Sequence, residues 1–240
     1  MIRLLGNKPF KNSIMKKSFF TVLLLVCSMT VFSQTASEIV SQMEQYVNSH
    51  QQDGISYAVD MELMYVDDNN TASPEITVKK TKLSSGSIFI HENKMRVDSE
   101  NGTEFIDLDI NRKWFVSSNK KEVHFDIAGI GDNSRMEDCY NGLHFIRSAY
   151  RFTIKDETDD TWTIQGKRKL FTMHDVEKEI ILTIRKDTYQ PVSVALYKAK
   201  EGKAINVTEV TRKDDITFGV TENQVTFNAA DYTIATAIYR

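Results

Sequence analysis

The sequence predicts a mainly β protein: an open, unclosed antiparallel half-barrel of about eleven strands, with an amphipathic helix before it and a short helix inserted midway. Three observations predict it. Apolar and polar residues alternate over long stretches, the period of two that belongs to half-buried strands. Turn-forming clusters such as Asn101-Gly102, Ser118-Asn119 and Asp159-Asp160 recur between those stretches. Only two segments after residue 33 show helical spacing, and no fixed sequence period repeats, which argues against a propeller or solenoid.

Residues 1–33 read as a secretory signal peptide. Met15-Lys16-Lys17 supplies the basic start and Phe19–Val26 the apolar centre, while Val31 and Ser33 suit positions −3 and −1 of a cleavage site before Gln34. The apolar run is shorter than the roughly 20 residues of a membrane-spanning helix. Met15 begins a standard signal directly and competes with Met1 as the start. The competing reading is a lipoprotein signal acylated at Cys27, although Val26 stands where such a site wants Gly, Ala or Ser. Residues 34–240 are expected to form one domain, long enough for a packed core. Cys139 is then the lone thiol, so no intramolecular disulfide can form.

Within that domain, Gln34–His50 carries Ile39, Val40, Met43, Tyr46 and Val47 at helical spacing. Tyr57, Val59, Met61, Leu63 and Tyr65 then alternate along one strand. A second long strand, Glu75–Ile90, turns Ile88 and Ile90 to one face, with Gly86 as a bulge. Short strands follow at Lys94–Asp98, Thr103–Asp109, Lys113–Ser117 and Glu122–Ile127. The second half repeats the style at Arg151–Lys155, Thr161–Gln165, Glu179–Arg185, Val192–Lys198 and Ala204–Thr211. Between the halves, Ser134-Arg135-Met136-Glu137 is a capping-box pattern, and Met136, Cys139, Tyr140, Leu143 and Ile146 follow at helical spacing.

Charge and motifs narrow the function. The first 33 residues hold five basic residues and no acid, so residues 34–240 carry a net charge of −8. A body of that sign repels a phosphate backbone, which argues against general nucleic-acid binding short of a local basic patch. Five histidines are present, none at metal-ligand spacing, and His91 and His124 are expected to face water. Cys139 and His144 lie about 140° apart around a helix and cannot form a local nucleophile–base pair. Gly129-Ile130-Gly131 lacks the third glycine of a dinucleotide loop and reads as a turn. No enzyme, cofactor or metal is indicated.

What stands out is apolar surface. The expected inward faces, Tyr57, Val59, Met61, Leu63, Ile88, Ile90, Met95, Val97, Trp114 and Val116 foremost, exceed what two helices can cover. Either the sheet curls onto itself around an ordinary core, or a pocket lies between sheet and helices.

The segment Gly86-Ser87-Ile88-Phe89-Ile90-His91-Glu92-Asn93-Lys94-Met95-Arg96 and the stretch Thr103–Asn119, which carries Arg112-Lys113-Trp114-Phe115-Val116, resemble two segments of the LolA-like periplasmic lipoprotein carriers. The first is similar to that family's glycine-led strand and hairpin, the second to its strand, turn and aromatic strand. With the order of elements, the resemblance covers most of residues 34–230. It implies a monomeric periplasmic protein that holds acyl chains on a concave face, here the ten residues just named. The cargo would be lipoproteins or another acylated amphiphile, passed from an inner-membrane donor toward an outer-membrane acceptor without catalysis or cofactor. A lid helix at Ser134–Ser148 would set Met136, Tyr140 and Leu143 over the mouth. Many members have Arg-Pro where this chain has Glu92-Asn93, and that Arg helps latch the lid; closure here is therefore expected to rest mainly on apolar contact. A lipid-sensing regulatory module on the same fold is the alternative role.

Overall fold

A computed structural model of the chain describes residues 34–66, 78–119, 122–141, 143–145, 147–171, 176–202, 205–232 and 236–239. The first helix, α1 (Ala36–Ser49), starts at a capping box. The Thr35 amide donates to Glu38 Oε2 at 2.8 Å, and the Glu38 amide to Thr35 Oγ1 at 3.3 Å. One stripe of the helix, Ile39, Val40, Met43 and Val47, is buried.

The strands form a single sheet. In chain order they are β1 (Ile55–Val66), β2 (Val78–His91), β3 (Lys94–Ser99), β4 (Gly102–Asp107), β5 (Arg112–Ser117) and β6 (Glu122–Ile127). The second helix α2 (Ile130–Asn141) and a 3₁₀ turn, Arg147–Ala149, interrupt them. There follow β7 (Tyr150–Glu157), β8 (Thr161–Arg168), β9 (Glu179–Arg185), β10 (Pro191–Gly202), β11 (Ile205–Phe218), the short helix α3 (Glu222–Val225) and β12 (Thr236–Tyr239). Their spatial order is β12-β6-β5-β4-β3-β2-β1-β11-β10-β9-β8-β7. Each half is a meander of antiparallel neighbours, and the β1–β11 pairing joins the halves. The outermost strands β12 and β7 do not pair, so the half-barrel is open. The expected eleven strands are present. β12, which the alternation pattern did not reveal, adds in parallel to β6.

Residues Thr35–Arg240 form one compact unit. Its main core lies on one face of the sheet. Ile39, Val40 and Met43 of α1 meet Ile90, Met95, Ile106, Ile164, Leu182 and Ile184 there, all 0% exposed. Burying each such side chain stabilises by roughly 1.5–3 kcal/mol.

Two sequence expectations are corrected here. Trp114 and Val116 do not belong to that face. The β4–β5 register sets Phe105 opposite Trp114 and Ile106 opposite Lys113. Directly opposed residues share a face, so the aromatic strand sides with Phe105, not with Ile106. Phe105, Val116 and Val123 form a second cluster with Trp114, Phe227 and Tyr232 on the other side. Trp114 stacks on Phe227 at 5.1 Å, and Phe227 on Tyr232 at 5.7 Å, so the segment after α3 covers this face. Gly86, in turn, is not a bulge. A Cβ there would stand 2.3 Å from the Asp98 carbonyl oxygen, so glycine permits close approach of β2 to β3. The bulge of this strand pair does lie on β2, but at Leu83, the extra residue between Ser84, opposite Met61, and Lys82, opposite Glu62.

Candidate functional site

α2 and the apolar face beneath it make the candidate site. The helix begins at Ile130, ahead of the Ser134-Arg135-Met136-Glu137 box expected to start it, and ends at Asn141, so Leu143 of the expected helical stripe lies in the chain that follows it. Asp132 takes the capping role: its Oδ2 accepts from the Gly129 amide at 2.9 Å, so the turn expected at Gly129-Ile130-Gly131 is the helix start. Met136 and Leu143 are buried in the main core at 5% and 1% exposure, alongside Tyr57, Ile88, Ile90 and Met95. Val59 and Val97 pack at its margin. Met61 and Leu63, farther along β1, are half-buried and stand outside that cluster. The side chain of Tyr140, and Ile146, lie outside the described residues.

Polar contacts join the apolar ones, expected to dominate, in holding α2 down. Near its start, Lys113 Nζ on β5 stands 3.4 Å from Asp132 Oδ2, and Arg135 Nη1 stands 2.6 Å from Glu104 Oε2 on β4. Both pairs are partly exposed, so each is worth about 0–1 kcal/mol. Near its end, the Cys139 carbonyl accepts two hydrogen bonds, from Tyr57 Oη at 3.2 Å and from Lys213 Nζ at 3.0 Å. The Lys213 ammonium also lies 4.9 Å from the centroid of the Tyr57 ring. At 5% exposure, Lys213 is the buried charged side chain of the described residues. A cation suits the negative end of a helix dipole.

Sequence reading missed Lys213 because it sits in the run Arg212-Lys213-Asp214-Asp215, which looks solvated. Only its register, opposite Val59 on β1 and Val194 on β10, turns it inward. Glu92-Asn93, at the place of the family's Arg-Pro, are taken up by the β2–β3 turn. Glu92 has φ of 48°, and Asn93 Nδ2 donates to Asp109 Oδ1 at 2.9 Å. His91 and His124, expected to face water, are half-buried: the Nδ1 of each is shielded from water and lacks a hydrogen-bond partner, while part of each residue stays exposed.

His144 follows α2. Burial, and then the nearby Lys213 charge, hold its imidazole below the usual value of 6.5. The folded state thus resists a proton that the unfolded or undocked segment accepts. Its contribution is fully present above pH 6.5 and is lost as pH falls through the lower folded value. Amide exchange at residues 139–145 should therefore accelerate between pH 7 and 5 relative to the strands, after correction for intrinsic rates. His144→Gln should flatten that difference; an unchanged profile in the variant would assign the acid sensitivity elsewhere.

α1 contributes most of the helical cover of the main core, and α2 contributes Met136 with Cys139 packed at the margin. A cavity of about 510 Å³ lies beside Arg151, Lys167, Arg168, Lys169, Leu170 and Phe171. Another, of about 280 Å³, lies beside residues 82–85 and 99–101. Neither is lined by the main core.

No family model and no curated protein matches the chain. Solved structures similar to it include a LolA superfamily protein from Nitrosomonas europaea, at 10% identity and a TM-score of 0.31, covering 82% of this chain and 100% of that one. A putative outer membrane lipoprotein-sorting protein domain from Vibrio parahaemolyticus is similar at 14% identity and a TM-score of 0.24, covering 80% and 96%. The Pseudomonas aeruginosa MucA/MucB complex contains a chain similar at 11% identity and a TM-score of 0.31; the match covers 81% of this chain and 61% of that one.

Proposed function

We propose that the protein is a periplasmic carrier that binds the acyl chains of lipoproteins, or of another acylated amphiphile, on the apolar face beneath α2 and releases them unchanged. The observation that carries this reading is a helix held over a largely apolar face, whose one buried charge is Lys213 among the described residues, through a few separable contacts. Full burial of about fifteen methylenes is worth about 12 kcal/mol. The contacts that fasten α2 are weaker: two exposed pairs of about 0–1 kcal/mol each and two hydrogen bonds of about 1–3 kcal/mol each. An acyl chain can thus offset the lost polar contacts and part of the apolar cover that α2 withdraws. Release to an acceptor needs only a deeper apolar site there, and no bond is made or broken.

The two tryptophans test it, because they report from different places. Trp162 lies at the margin of the main core and stacks on Tyr189 at 5.7 Å, whereas Trp114 lies on the opposite face. Titration with a long-chain fatty-acid probe should change the emission of a Trp114→Phe variant and leave that of Trp162→Phe nearly constant. Equal response in both variants, or none in either, would remove the support for a site on this face.

A further inference from the structure

We propose that the open end of the β7–β8 hairpin is a docking surface for an anionic phospholipid membrane. Arg151 and Lys167 are directly opposed across the two strands, and Tyr150 is opposed to Arg168. Like charges placed opposite each other repel, and although Glu179 on β9 is opposed to Lys167 and Glu177 lies beside Tyr150, these two acids are outnumbered by Arg151, Lys167, Arg168 and Lys169. Lys169 follows at once. Arg168 and Lys169 each donate to a neutral backbone carbonyl, those of Val176 and Ser148, so these contacts do not cancel their charge. The cluster stands out on a body of net charge −8.

Directly after these cations come Leu170 and Phe171, 95% and 97% exposed. Together with the basic side chains they border the cavity of about 510 Å³. The far end of the same hairpin has the opposite sign, with Asp156, Glu157, Asp159 and Asp160 all exposed. Eight residues of strand at about 3.3 Å each separate the two ends by about 25 Å. That exceeds the Debye length of about 8 Å at physiological ionic strength, so the ends act as independent charges. A negatively charged surface would attract one end and repel the other, which fixes orientation.

An exposed Leu-Phe pair framed by cations matches a bilayer interface, which offers anionic headgroups above apolar chains within one side chain's reach. An acidic protein surface would satisfy the cations and leave both apolar side chains without a partner.

The inference does not rest on acyl-chain binding beneath α2. The test uses the protein without residues 1–33, since Thr35–Arg240 is compact by itself and the N-terminal apolar run would bind lipid on its own. It should co-sediment with vesicles of phosphatidylglycerol and phosphatidylethanolamine, more weakly as salt rises, and not with phosphatidylcholine vesicles. Arg151→Gln/Lys167→Gln should weaken binding about tenfold or more. Leu170→Ser/Phe171→Ser should abolish insertion, and emission of a Phe171→Trp variant should shift to the blue only with the anionic vesicles. Failure to bind anionic vesicles, or binding indifferent to both pairs of substitutions, would overturn the proposal. Uptake of a fatty-acid probe by the same variants is read separately. Normal uptake without vesicle binding sinks the docking surface alone, and vesicle binding without uptake sinks the carrier reading alone.

Discussion

A Lys213→Met variant is expected to loosen α2 while leaving the sheet folded. The substitution keeps most of the stem that packs in the core and removes the ammonium that donates to the Cys139 carbonyl at 3.0 Å. A hydrogen bond to a charged group contributes about 1.5–3 kcal/mol. Its loss should speed amide exchange in α2 about tenfold or more, with Tyr57 Oη still bonded to the same carbonyl. Global stability should behave differently. A buried cation carries a desolvation penalty that methionine does not, so the unfolding midpoint should hold or rise. The two readouts moving apart is the signature of a latch. Tyr57→Phe, which deletes a neutral hydrogen bond of about 1 kcal/mol, should have the smaller effect. The double variant should release bound fatty-acid probe fastest. Unchanged exchange of α2 in that double variant would show that the helix is held by apolar packing alone.

How much of this was legible in the sequence follows from what a single strand can and cannot say. Alternation along Tyr57, Val59, Met61 and Leu63 announces a strand whatever its neighbours do, and so does the helical spacing of Ile39, Val40, Met43 and Val47. The number of antiparallel strands and the open sheet were therefore readable; their order was not, because the expected run of consecutive neighbours breaks where β1 pairs with β11 and β6 and β7 part to opposite sides of the sheet. Which face a strand turns inward was readable only where one face is polar. On β4 and β5 both faces are apolar, Phe105 beside Ile106 and Trp114 beside Phe115, and only the pairing Phe105↔Trp114 decides. The same holds for Lys213: its charge argues for water, and its pairing with Val194 overrules that. The C-terminal cover was invisible for a related reason. Phe227 and Tyr232 acquire meaning only from the rings they stack on.

Leu143→Asp should have the largest effect on α2. Leu143 is 1% exposed and shares the main core with Met136, Ile90 and Met95. A carboxylate there would lie in apolar surroundings, at a penalty of several kcal/mol per ion. The chain can escape that penalty by undocking α2, because the remaining fastenings are modest. Lys113–Asp132 and Arg135–Glu104 are partly exposed pairs worth about 0–1 kcal/mol each. The hydrogen bonds at the Cys139 carbonyl lie close in sequence to the altered residue and go with it. The sheet should stay folded, since Ile39, Val40 and Met43 of α1 continue to cover their part of the face at 0% exposure. The expected outcome is loss of protection in α2, an apolar face open to a fatty-acid probe, and probe exchange at least tenfold faster. Leu143→Met, which conserves volume and apolarity, should cost less than about 1.5 kcal/mol and keep exchange slow. If Leu143→Asp instead unfolds β2, β3 and β8 together with α2 in one cooperative transition, the helix is an inseparable part of the core, and a lid that admits acyl chains by swinging away is the wrong mechanism.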